Sequence, residues 1–114
     1  MNTNTELSIN TEVVEKMAEI ATKEIEGVVG LSKKAIDIKS AVKTQKAFKG
    51  VKVESENNAL SITIYICIAQ GAHAKDVAQK VQENVKDKVQ TMTGSAVTKV
   101  NVVVADIDMK QEEN

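Results

Sequence analysis

A two-layer α+β sandwich, with two main helices packed on one face of a small mixed β-sheet, is the fold this sequence predicts. Three observations carry it. Residues 60–69 alternate apolar and polar, the period of a strand that buries one face. Residues 13–25 and 77–92 instead repeat apolar positions at helical spacing, so each presents a single stripe. The apolar set is mostly Val and Ile, with one Phe, one Tyr and no Trp, a β-branched bias that favours sheet.

The elements follow in order. In the first helix Val13, Val14, Met17, Ile20, Ala21 and Ile25 make the apolar stripe, and Glu12, Glu15, Lys16, Glu19, Lys23 and Glu26 the wet side. Asn10 stands where an N-cap belongs, Glu12 sits in the first turn, and Gly27 is a natural stop. Residues 28–32 read as a short strand. Residues 33–49 carry Ala35, Ile36, Ile38, Val42 and Ala47 at the spacing of a loose amphipathic helix, ending at Phe48 and Gly50.

Val51 and Val53 then alternate with Lys52 and Glu54 as a half-buried strand, and Asn57-Asn58 tolerates the left-handed backbone of a tight turn. Leu60, Ile62, Ile64, Ile66 and Ile68 form one face of the next strand, and Ser61, Thr63, Tyr65 and Cys67 the other. The two strands make a hairpin. After Gly71 a second helix runs from Ala74 to Thr93, with Val77, Ala78, Val81, Val85, Val89 and Met92 as its stripe and Gly94 as its break. Thr98, Val100, Val102 and Val104 alternate through a last strand, which a right-handed helical crossover sets parallel to its predecessor or one position further along the sheet. Residues 1–114 read as one domain with an ordered core of about 7–108.

Composition narrows the function. The net charge is −1 and all 15 basic residues are lysine, so neither a cationic field nor a planar guanidinium fork is available for phosphate. One cysteine excludes an intramolecular disulfide. The start MNTNTELSIN lacks the basic and apolar regions of a signal peptide, and no apolar run is long enough to span a bilayer. These features point to a cytoplasmic protein that does not insert into the membrane itself.

Several residues resemble parts of a site. Cys67 would need a base or a helix N-terminus to lower its pKa, yet it lies mid-strand between two isoleucines, where a small apolar residue belongs. His73, three residues before Asp76, fits a capping box better than a catalytic base, since no orienting group accompanies it. Gly27 and Gly30 have the spacing of the GxxG loop of KH modules, but join a helix to an apolar strand, where close packing accounts for both. Asp106 and Asp108, with Glu112 and Glu113 behind, lack the glycine and spaced acids of a cation loop. No catalytic, cofactor-binding or metal-ligating residue is therefore assigned. The candidate functional surface is the mixed face of the long strand, Ser61, Thr63, Tyr65 and Cys67. It is too apolar to be fully wet and too polar for a deep core, with tyrosine as an anchor. The competing expectation is that residues 33–49 fold over it, with Phe48 as a plug.

The segments INTEVVEKMAEIATKEIEGVVGLS, KGVKVE, LSITIYICIAQG and VAQKVQENVKDKVQTMTG, followed by VTKVNVVVADID, together resemble the alkaline-shock-protein (Gls24-type) family of envelope-stress proteins of Gram-positive bacteria. The most specific pieces are EIEGVVGLS, VQENVK with its MTG stop, and VNVVVADID. The resemblance implies a non-enzymatic cytoplasmic protein of envelope homeostasis and alkaline stress, without cofactor or small-molecule substrate. It also implies self-association and a separate membrane-anchor protein as partner. Relatives often carry Asn and a branched apolar residue where His73 and Ala74 stand, and many have longer polar or basic ends. The alternative function is a KH-like nucleic-acid-associated module, in which Lys33, Lys34, Lys39 and Lys43 would contact phosphate.

Overall fold

The computed structural model describes residues 10–32 and 50–109. Its elements are α1 (Thr11–Lys23), β1 (Val28–Leu31), β2 (Val51–Glu56), β3 (Ala59–Ala69), α2 (Ala74–Thr93) and β4 (Ala96–Asp108). The predicted helix at 33–49, the Phe48 plug, the four lysines named for phosphate contact, and Glu112 and Glu113 lie outside the described residues.

β3 is the centre of a mixed four-stranded sheet. β4 runs parallel to it along one edge, from Ala59↔Ala96 to Ala69↔Asp108. On the other edge β2 and β1 both run antiparallel to it, β2 opposite Ala59 to Ile64 and β1 opposite Ile66 to Ile68. β1 and β2 are thus two halves of one edge strand lying end to end. The Tyr65 backbone joins them: its carbonyl accepts from Ser32 N at 2.8 Å and its amide donates to Gly50 O at 2.8 Å. The turn between β2 and β3 has Asn57 at φ 54° and Asn58 at φ 65°, a two-residue pair of left-handed positions matched to the twist of a hairpin.

Both helices cover the isoleucine face. Leu60, Ile62, Ile64 and Ile66 are wholly buried, and Val14, Ala18, Val81, Val85 and Val89 meet them from the helix layer. α1 packs on β1, β2 and α2, and α2 packs on β4. The Asn10 side chain accepts from Glu12 N at 2.9 Å, as its N-cap position predicts. Gly94 adopts φ 73° and closes α2 through its amide to Gln90 O.

Four sequence expectations need correction. Val13 and Ile20 are 48% and 53% exposed, because each precedes a buried residue by one position, about 100° around the helix. Ala18 and Ala21 let α1 approach closely, so a narrow strip makes the contact, and Thr22 belongs to it with its hydroxyl donating to Ala18 O at 2.7 Å. Met92 is 65% exposed, since the buried row Val77, Val81, Val85, Val89 advances by four and continues to Thr93. α1 ends at Lys23 with Glu24 as C-cap, so Gly27 serves the following turn and not the helix stop. His73 occupies the N-cap position of α2 but makes no side-chain cap hydrogen bond, so the expected capping box is not formed.

Candidate interaction surface

Alternation along β3 is what builds the candidate surface. The five apolar residues Leu60 to Ile68 face the helices, and the residues between them point to the opposite side. Ser61, Thr63, Tyr65 and Cys67 are there, all half-buried, as the period-two pattern predicts.

Neighbouring strands frame that row. Ser61 lies between Glu54 of β2 and Lys99 of β4, and Thr63 between Lys52 and Asn101. Tyr65 is opposite Val103, and Cys67 lies between Gly30 of β1 and Asp106. One end of the face is therefore charged and polar, while the Tyr65 end is apolar with acids at its rim. Tyr65 and Val103 thus set an aromatic beside an aliphatic group, with charged or polar residues along the row on either side of them.

The remaining candidates do not converge. Tyr65 and Cys67 share a face, but His73 opens α2, which packs on the other side of the sheet. Cysteine and histidine are thus divided by the strand they flank, and the nucleophile–base pairing that thiol catalysis needs is not assembled. Asp106 and Asp108 fall at alternate positions of β4, and the Asp106 carboxylate accepts from Ile107 N at 3.0 Å. Among the described residues no group of three or more His, Cys, Asp or Glu is placed to hold a metal ion.

The two glycines of the KH-like spacing have different reasons. Gly27 stands at φ +101°, and a Cβ there would lie 2.9 Å from Val77 Cγ2, so close packing does require it. Gly30 has no such neighbour and lies in the irregular stretch of β1 where the register shifts, which corrects the expectation of one cause for both.

The polar tie between the helices escaped sequence reasoning. Asn84 Nδ2 donates to Ala21 O at 2.8 Å and to Glu24 Oε1 at 2.9 Å, and Lys88 Nζ reaches the same Glu24 oxygen at 2.9 Å. The Lys88 hydrogen bond, followed by that of Asn84, holds the Glu24 carboxyl below the ordinary glutamate value. No local signal marks this site, because its members are about 60 residues apart in sequence.

Residues 1–109 match the alkaline shock protein 23 family, described as having a cell envelope-related function. The chain is 29% identical over 110 residues to the uncharacterized protein YqhY of Bacillus subtilis, covering 94% of this chain and 82% of that one. It is 26% identical over 109 residues to a stress response regulator gls24 homolog of Streptococcus pyogenes, covering 94% of this chain and 61% of that one. Among solved structures it is similar to MamM-CTD H285A, with TM-score 0.53 and 14% identity over 87% of this chain and 99% of that one. That likeness extends to the fold alone. No described helix is long and apolar enough to cross a membrane.

Proposed function

The chain belongs to the alkaline shock protein 23 family, and on that premise we propose that it is a non-catalytic interaction protein of the cell-envelope stress response. It works in the cytoplasm, associates with itself, and is held at the membrane by an anchor protein. Neither a cofactor nor a small-molecule substrate is involved.

The observation that carries this proposal is the split character of β3. Its isoleucine face is sealed by two helices, while Ser61, Thr63, Tyr65 and Cys67 remain half-buried on the other side. Tyr65 is the anchor of the association surface, and Val103 beside it supplies the aliphatic contact. The stress-response name of the Streptococcus relative supports the biological setting.

Sedimentation tests the surface. The wild type is expected to associate as concentration rises, and Tyr65→Lys to associate more weakly, with an unchanged far-UV spectrum. A wild type that stays monomeric, or a variant that assembles equally well, refutes Tyr65 as the anchor. The non-catalytic assignment is tested separately: Cys67→Ala should restore alkaline survival to a deletion strain as fully as the wild type does.

A further inference from the structure

We infer that two copies of this chain pack the outer faces of their sheets together about a two-fold axis that runs along β3. Each β2 then lies over β4 of the other copy, and Glu54 meets Lys99 of the other copy. The inference rests on the self-association proposed above and deepens it, because it names the partner of the face and its orientation.

The outer face carries its charge unevenly. Cross-strand neighbours point to the same side of a sheet, so Glu54 and Lys52 of β2 flank Ser61 and Thr63 on one side. Lys99 and Asn101 of β4 flank the same two residues on the other side. All four flanking residues are exposed, and the described helices lie against the opposite face. The Ser61 row therefore runs from an acid to a base across the three strands.

A rotation about an axis parallel to β3 keeps every residue at its own level along the strand and exchanges the two flanks. Glu54 then faces Lys99 of the other copy, and Lys99 faces Glu54, so one attraction occurs twice in the dimer. Ser61 and Thr63 face their own copies. Glu56, which pairs with Ala59, comes over Ala96, so no like charge opposes it. Glu54 also keeps Lys52, 3.9 Å away on its own strand, because a carboxylate has two oxygens and accepts from both lysines.

An axis across the strands, between Ser61 and Thr63, serves the charges less well. It lays β2 on β2, where Glu54 gains only a second Lys52, and β4 on β4, where Lys99 faces Asn101 and finds no acid. The lengthwise axis gives each glutamate two lysines from different strands. The size of the face suits a reversible contact. β3 has 11 residues. Three strands of that length, about 4.8 Å apart, offer roughly 500 Å² per copy, near the lower limit of specific interfaces.

Sedimentation of the full chain over a range of concentrations tests the orientation. Glu54→Lys and Lys99→Glu should each weaken association about tenfold with an unchanged far-UV spectrum, since each sets like charges together twice. The two weak variants should associate with one another when mixed, because Lys at 54 then meets Glu at 99 and the wild-type pair is intact at the second contact. The double variant should likewise recover most of the wild-type affinity. Single variants that associate like wild type, or a mixture and a double variant as weak as the singles, overturn the inference. Tyr65→Lys separates this failure from that of the face itself. If it weakens association while the charge variants do not rescue one another, the face stands in another orientation and this inference alone falls. A wild type that stays monomeric removes both.

Discussion

The side-chain amide of Asn84 caps the carbonyl of Ala21, at 2.8 Å, and so closes one helix with a residue of the other. Ile25 N turns to Thr22 O, so the Ala21 carbonyl is one of the helix-end acceptors that need an outside donor. The same amide also donates to Glu24, the C-cap of α1. Asn84→Ala removes both donations and leaves a partly buried carbonyl unsatisfied. A loss of about 1–2 kcal/mol is expected, read as a lower denaturant midpoint at unchanged slope.

The Glu24 tie makes a pH prediction with a definite sign. Lys88, and then Asn84, lower the Glu24 pKa in the folded state below the reference value of 4.5. A carboxyl with a depressed folded pKa stabilises the fold above its unfolded value, and that contribution is lost as pH falls through the folded one. The stability gap between wild type and Glu24→Gln should thus be full at neutral pH and close progressively below pH 4.5. Salt should narrow it, since both side chains of the ion pair reach solvent. A gap that persists undiminished in acid would show that Glu24 acts through packing.

The helix face has a sharp test in two adjacent residues. Val85, on the sheet-facing side of α2, is wholly buried, while the next residue, Lys86, is exposed. Val85→Asp places an unpaired charge in the core and should cost several kcal/mol, enough to unfold a marginal domain. Lys86→Asp and Met92→Asp should both lie within about 0.5 kcal/mol of wild type in thermal unfolding. Equal effects at 85 and 86 would mean the helix is rotated.

Legibility in the sequence tracked the range of each interaction. The strict alternation of β3, the Asn57-Asn58 turn, the Asn10 cap and the Gly94 stop were all readable, because each depends on residues within a few positions. The width of the buried strips was not. Val13, Ile20 and Met92 are apolar at the expected spacing but lie outside the contact, whose limits are set by how closely another element approaches. Thr22 was missed because its hydroxyl bonds within its own helix and so packs as an apolar group. The surface row Ser61, Thr63, Tyr65 and Cys67 was legible as a face of a strand. Its frame of Glu54, Lys99, Val103 and Asp106 was not, because strand order and the two register shifts of β4 are long-range properties.

Two glycines with similar backbones separate strain from crowding. Gly27 and Gly71 stand at φ +101° and +91°, but a Cβ at Gly27 would meet Val77 Cγ2 at 2.9 Å, while no described atom comes within 4 Å of one at Gly71. Gly71→Ala should cost about 1 kcal/mol from backbone strain alone. Gly27→Ala should cost clearly more, and the excess should shrink in a Val77→Ala background. A double-mutant cycle with no coupling would rule out the Val77 contact as the cause.

The break in the edge strand predicts that residues 33–49 can be removed without losing the fold. Tyr65 bonds through its carbonyl to Ser32 and through its amide to Gly50, so the chain leaves and rejoins the sheet at one residue of β3. The two ends also touch: a Cβ at Gly50, where φ is +88°, would lie 2.8 Å from both Leu31 Cβ and Ser32 O. A short glycine–serine linker from Ser32 to Gly50 should therefore span the gap without disturbing β1 or β2. Shortening a connection also lowers the entropy cost of closing it. The shortened chain is expected to keep its far-UV spectrum and a single cooperative unfolding transition, since the buried core of Leu60 to Ile68 draws its described cover from α1 and α2. Loss of cooperativity would show that residues 33–49 complete the core. If the fold survives and association strengthens, those residues compete with a second copy for the Tyr65 face; if association is unchanged, they do not touch it.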